Sequence, residues 1–124
     1  MIDFIRLDHV LISIPPGSRA QARMFYTQVL ALTEIQGQHP HGALWFQLGD
    51  AELHVREEEG HTSDSSRHPA FEIRDLAEAK SFLLSRGVDV SYSSEIDGRD
   101  RCFFRDPWGN RFELIEYKQA VAKH

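Results

Sequence analysis

In Leu7 to Ile14 (LDHVLISI), apolar and largely β-branched residues are interspersed with polar ones, and Pro15-Pro16-Gly17 ends the run, which predicts a strand entering a turn. Ser18 is a good helix N-cap. Behind it, Ala20, Ala22, Met24, Phe25, Val29 and Leu30 include several positions at the three-and-four spacing of one helix face. Short apolar runs follow at Thr33–Ile35, Ala43–Leu48 and Ala51–Arg56. Divided by Gly37 to Gly42 and by Gly49-Asp50, they predict three successive strands, the last two joined by a tight hairpin. Glu57 to Arg67 (EEEGHTSDSSR) has almost no apolar residue and is expected to be an exposed linker, with Glu57, Glu58 and Glu59 as its solvated start.

The pattern then begins again. Pro69–Ile73 predicts a short strand, and Asp75 caps a helix that carries Leu76, Ala79, Phe82 and Leu83 and ends at Gly87, where a left-handed C-cap suits glycine. Strands are expected at Val88–Tyr92, Arg101–Arg105 and Arg111–Tyr117. The last two are joined by Asp106-Pro107-Trp108-Gly109-Asn110, in which proline presets φ and glycine accepts positive φ. Both halves therefore read βαβββ. The expected organisation is α+β: module one at about 5–57, a linker over 58–67, module two at 68–117 and a tail over 118–124.

The repetition extends to polar residues within apolar strands. His9 opens the first half and His68 the second. Glu52-Leu53 of AELHV matches Glu113-Leu114 of FELIE, so 43 positions separate His9 from Glu52 and 45 separate His68 from Glu113. A His or Glu inside an apolar strand is costly unless it is paired or bound to a cation. Two imidazoles and two carboxylates, gathered by paired concave sheets, form an N/O ligand set suited to Zn, Fe(II), Mn, Ni or Co, with shell positions left for substrate oxygens. Taken singly, His9 and His68 read more readily as hydrogen-bonded structural residues than as ligands; the matched spacing favours ligation.

Other residues join the candidate site. His54, two residues beyond Glu52, should share its face and could replace or supplement it as the fourth ligand, with Glu52 placed first. Arg101 and Phe103 should face one side of their strand as a substrate-facing cation and an apolar wall, with Cys102 facing away. A solvated strand-edge charge is the alternative for Arg101. His39-Pro40-His41 reads as a surface loop, and Trp45, Phe46, Trp108 and Phe112 read as core or dimer-contact residues.

Composition narrows the classes. The chain has 124 residues, 41% hydrophobic and 27% charged, which suits one domain. A single cysteine excludes an intramolecular disulfide framework and a Cys-built zinc site, so any metal must rest on His and carboxylate; it also fits a reducing cytoplasm. Fourteen Lys and Arg against nineteen Asp and Glu give −5, and no basic block suggests a nucleic-acid partner. No apolar run approaches the roughly 18 to 20 residues of a membrane span, and no targeting segment is expected.

LDHVLI, FYTQVLAL, ELHV, HPAFEI, SRGVDV and FRDPWGNRFELIE together resemble the vicinal oxygen chelate superfamily, which includes glyoxalase-type lyases, bleomycin- and fosfomycin-resistance proteins, extradiol dioxygenases and methylmalonyl-CoA epimerases. The likeness runs from about Leu7 to Tyr117. It implies two βαβββ modules forming a cup-shaped mixed-sheet cavity, completed as a homodimer, with one divalent metal ion per chain. By motif the ligands fall on His9, Glu52, His68 and Glu113, with Glu113 also catalytic. The resemblance implies a metal-dependent lyase, isomerase or dioxygenase acting on a small oxygen-rich substrate through a metal-stabilised oxyanion. A drug- or metabolite-binding protein of the bleomycin-resistance type, which sequesters its ligand without turnover, is the alternative.

Overall fold

The structure, a computed structural model, describes residues 1–92, 96 and 98–118, so all of the expected tail except Lys118 lies outside the described residues. The chain divides into two compact units, Met1–His61 and Thr62–His124. The second has the βαβββ order that the repeat predicts, and the first has it less one strand, both on the α+β plan.

In the first unit, β1 (His9–Ile14) leads into α1 (Arg19–Met24), and β2 (Leu44–Leu48) and β3 (Ala51–Glu57) form the hairpin. The sheet order is β1-β3-β2, with β1 parallel and β2 antiparallel to β3. Because side chains alternate across a strand, one face of this sheet carries Ile14, Leu44, Phe46, Leu53 and Val55, all at most 1% exposed. Ala22, Phe25 and Tyr26 cover it, the Tyr26 and Phe46 rings lying 5.4 Å apart. Burying each such side chain contributes about 1.5–3 kcal/mol.

Three local expectations change. The helix does not stay α-helical: Phe25–Val29 forms a π turn, closed by Leu30 N donating to Phe25 O at 3.0 Å. This wider turn lets two consecutive residues, Phe25 and Tyr26, both reach the core, whereas Met24 is left 56% exposed. Ser18 occupies the N-cap position without capping, since its hydroxyl donates back to Pro15 O. Glu57 takes over that task. Its carboxylate accepts from Gly17 N and from Arg19 N, so it is the end of β3 and a helix cap, not a solvated linker start. Finally, Thr33–Ile35 forms no named strand; only a bridge between Glu34 and Phe46 remains.

The second unit contains β4 (Ala70–Glu72), α2 (Leu76–Ser85), β5 (Ser91–Tyr92), β6 (Arg99–Arg105) and β7 (Arg111–Tyr117), with sheet order β4-β7-β6-β5. Asp75 caps α2 by accepting from Glu78 N at 3.0 Å, and Gly87 ends it at φ +78°. Val88 is buried behind the helix instead of joining a strand, so β5 keeps only two residues of the expected run. The core comprises Leu76, Leu83, Cys102, Phe104 and Phe112. Asp106, 4% exposed, rigidifies the β6–β7 turn by accepting from Trp108 N, Asn110 N and Asn110 Nδ2. Among the described residues, no helix is long and apolar enough to cross a membrane.

Candidate functional site

The polar face of each sheet is set by its parallel pair of strands. In the first unit His9 lies directly opposite Glu52 and Leu11 opposite His54. In the second, Ala70 lies opposite Glu113, so His68 precedes the matching position by two residues. That offset accounts for spacings of 43 and 45. A difference of two keeps the side chain on the same face, whereas a difference of one would invert it.

In the second unit the expected residues come together. His68 Nε2 lies 2.9 Å from Glu113 Oε1, and Arg101 Nη1 donates to Glu113 Oε2 at 3.1 Å. Phe103 faces the same side, 5.2 Å from the His68 ring and edge-on to it. Cys102 points to the core, where burial pushes its thiol above the ordinary value. Glu113 is 5% exposed, a carboxylate desolvated between two partners.

The hydrogen-bond chemistry of His68 is constrained. Its Nδ1 lies 2.8 Å from the Ser66 carbonyl, which can only accept, so Nδ1 carries a proton. Nε2 then faces a carboxylate oxygen, also an acceptor. A neutral imidazole has no second proton to offer, so this His–Glu contact is completed by a cation, either a proton or a metal ion. The spacing suits both: two donors in adjacent positions about 2.1 Å from one ion lie about 3.0 Å apart.

In the first unit the close pair is His54 with Glu52, Nε2 to Oε1 at 2.9 Å. His9 makes no hydrogen bond to Glu52. Its ring stacks on His54 with centroids 4.1 Å apart, and its Nδ1 bonds Asp8 Oδ2 at 2.9 Å. This bond from His9 is the main reason the Asp8 carboxyl sits below its usual range, with Arg6 adding to it. The other face of His54 stacks on Trp45 at 4.0 Å, and Trp45 stacks in turn on His39 at 4.0 Å. His39 Nε2 donates to Ile35 O at 2.9 Å. The result is a column of four rings, His9, His54, Trp45 and His39, which fixes the orientation of His54. Trp45 is therefore part of the polar face and not of the core, unlike Phe46 and Phe112. Among the described residues, no group of three or more His, Cys, Asp or Glu side chains is disposed to hold a metal ion.

Arg111 also belongs to this description and was passed over in the sequence. Its guanidinium lies over the Phe103 ring, 3.9 Å from the centroid. Strand alternation could have found it, since it stands two residues before Glu113 on the same face.

Two α+β units, each with a His/Glu pair anchored on its last strand, present donors from the polar face of an open sheet. The chain belongs to the glyoxalase/bleomycin resistance protein/dioxygenase superfamily, whose family model matches residues 6–114. A Bacillus anthracis protein assigned to the glyoxalase family is 31% identical, with a TM-score of 0.85 over 95% of this chain and 100% of that one. Two further solved structures share the fold. A lactoylglutathione lyase of Agrobacterium tumefaciens has 20% identity and a TM-score of 0.70, covering 96% of this chain and 97% of its own. An antibiotic-binding protein of Streptomyces sp. CB03234 has 20% identity and a TM-score of 0.74, covering 94% and 99%. No curated protein matches the chain in sequence.

Proposed function

We propose that this protein is a metal-dependent glyoxalase-like enzyme acting on a small oxygen-rich substrate. The observation that carries this reading is the His68–Glu113 contact, 2.9 Å between two atoms that both accept once His68 Nδ1 is committed to Ser66. His68 and Glu113 are donors of the kind that suits a divalent ion of borderline hardness, and His9 and Glu52 are the further ligands expected from the sequence repeat. His54 competes with Glu52, since the two already form an N/O pair of the same length. When bound, such an ion supplies Lewis acidity, stabilising negative charge on substrate oxygen.

The remaining tasks fall to the chain itself. Arg101 holds Glu113 Oε2, so the carboxylate is oriented before substrate arrives and Oε1 is the oxygen left to face His68. Glu113 is the group placed to take up or return a substrate proton at Oε1. Its burial keeps bulk water from competing for that atom. Phe103 supplies an apolar wall beside it, and His54 is held rigid by the ring column.

Elemental analysis of protein purified without chelator is expected to show about one divalent ion per chain, with His68→Ala and Glu113→Ala both losing it. Full occupancy in both variants would overturn the assignment. Turnover is then sought with 2-oxoaldehyde–thiol adducts, epoxides and catechols in the presence of Mn, Ni, Fe(II) or Zn. Stoichiometric binding of one of these without product under every metal would place the protein with the sequestering binders instead.

A further inference from the structure

The polar face of the second sheet is rich in cations, whereas the chain as a whole carries −5. Alternation along β6 and β7 places Arg99, Arg101, Arg105 and Arg111 on the face of Glu113, and the β4 register adds Glu72. Among the described residues of these three strands, four guanidiniums therefore meet two carboxylates. Two of the four are committed to structure: Arg99 Nη1 donates to the Tyr117 hydroxyl at 3.0 Å, and Arg105 Nη1 donates to the carbonyls of Ser65 and Gly109 at 3.0 and 2.6 Å. The carbonyl partners of Arg105 position its guanidinium without neutralising it.

Arg101 and Arg111 are arranged differently. They flank Phe103, with Arg111 at 3.9 Å and Arg101 at 5.5 Å from the ring centroid. Stacking on a ring uses the face of the Arg111 guanidinium and keeps its in-plane N–H groups for hydrogen bonds, the geometry that suits a planar oxyanion. Arg101 already turns to a carboxylate, donating from Nη1 to Glu113 Oε2 at 3.1 Å. Glu113 thus stands between the cationic pair and His68.

We infer that Arg101 and Arg111, stacked about Phe103, form a recognition site for an oxyanion group, a carboxylate or a phosphonate or phosphate, on the small molecule that this protein handles. The inference rests on the proposed function only in placing that molecule on the Glu113 face. It assigns a substrate class: a compact anion whose charged group lies beside its reacting oxygens. Arg111 is the specificity-determining residue, because Arg101 is partly occupied by Glu113.

The test uses the full chain stripped of metal, so that its result is independent of metal ligation. Malonate, methylphosphonate and neutral malonamide are titrated by calorimetry, with the Arg Nε–Hε signals followed by NMR. At least one anion is expected to bind at least tenfold more tightly than malonamide and to shift the Arg111 signal; the stronger of the two identifies carboxylate or phosphonate recognition. Arg111→Gln, checked for an unchanged melting temperature, should lose at least tenfold in that affinity. If malonamide binds as well as both anions, if neither anion binds, or if the Arg111 signal does not move, the inference fails even if Arg111→Gln proves too unstable to use. Equal affinity in a folded Arg111→Gln protein would also overturn it. The metal stoichiometry of His68→Ala and Glu113→Ala is a separate measurement, so either reading can fail while the other stands.

Discussion

Replacing Gly109 by Ala tests how the β6–β7 turn supports the site. Gly109 has φ +90°, where an L side chain costs about 1–2 kcal/mol in backbone strain. An added Cβ would also lie 2.0 Å from Ser63 O and 2.6 Å from Ser63 C, so the 63–65 segment must move by about 1 Å or more to admit it. That segment is tied down by Arg105 Nη1 on the Ser65 carbonyl, an exposed bond whose loss costs about 1 kcal/mol. The expected destabilisation is about 3 kcal/mol in urea unfolding. Gly87→Ala is the internal control: it has a similar φ of +78° but open space at the Cβ position, so it should cost only about 1 kcal/mol. The contact is thus worth the difference, about 2 kcal/mol. The effect should also reach the chemistry, because Ser66, next in the displaced segment, accepts from His68 Nδ1. Divalent-metal affinity of Gly109→Ala should fall under conditions in which the protein stays folded, whereas that of Gly87→Ala should not. Equal destabilisation of the two variants within about 0.5 kcal/mol would refute the packing argument.

Two further outcomes follow from the described contacts. The buried Cys102 thiol resists ionisation, its pKa lying above the ordinary 9.0, whereas in the unfolded chain it ionises near that value. Its contribution to stability is therefore complete below pH 9 and declines as pH rises beyond it, so urea midpoints measured from pH 7.5 to 10 should fall less steeply for Cys102→Ala than for the wild type. Glu57→Ala removes the acceptor for Gly17 N and Arg19 N and should cost about 1 kcal/mol; Glu58→Ala, one residue on, should stay within about 0.5 kcal/mol of wild type in the same melts.

Where structure is decided by short-range pattern, it was legible in the chain. Arg111–Tyr117 alternates between a core face with Phe112 and a polar face with Glu113, and β7 has those bounds. Asp75 caps α2 because the acceptor and its amide lie three residues apart. Misses occurred where a distant partner decides. Ser18 had the right type for a cap but lost the role to Glu57, which the parallel β1–β3 ladder brings to the start of α1. The choice between Glu52 and His54 could not be read either. What places His54 is Trp45 across the antiparallel ladder and His9 across the parallel one, and the loop that delivers His39 closes the column. Arg111 differs: it adjoins the Asp-Pro turn, whose residues specify backbone geometry, yet its alternation with Glu113 places it on the polar face.

The two parallel ladders have a consequence for which length changes the chain can absorb. Glu52 and Glu113 owe their facing to the backbone register of β3 and β7, so inserting or deleting one residue upstream within either strand would turn the carboxylate toward the helix-covered side and bring apolar neighbours such as Leu53 or Phe112 outward. Glu58 is still tied to β1 through its N–H on Ile14 O, but Glu59 and Gly60 have no such role, whereas Ser63 to Ser66 is fixed by Gly109, Arg105 and His68. Variation in chain length, in a laboratory library or in natural drift, should therefore collect at those two residues and stop short of Ser63.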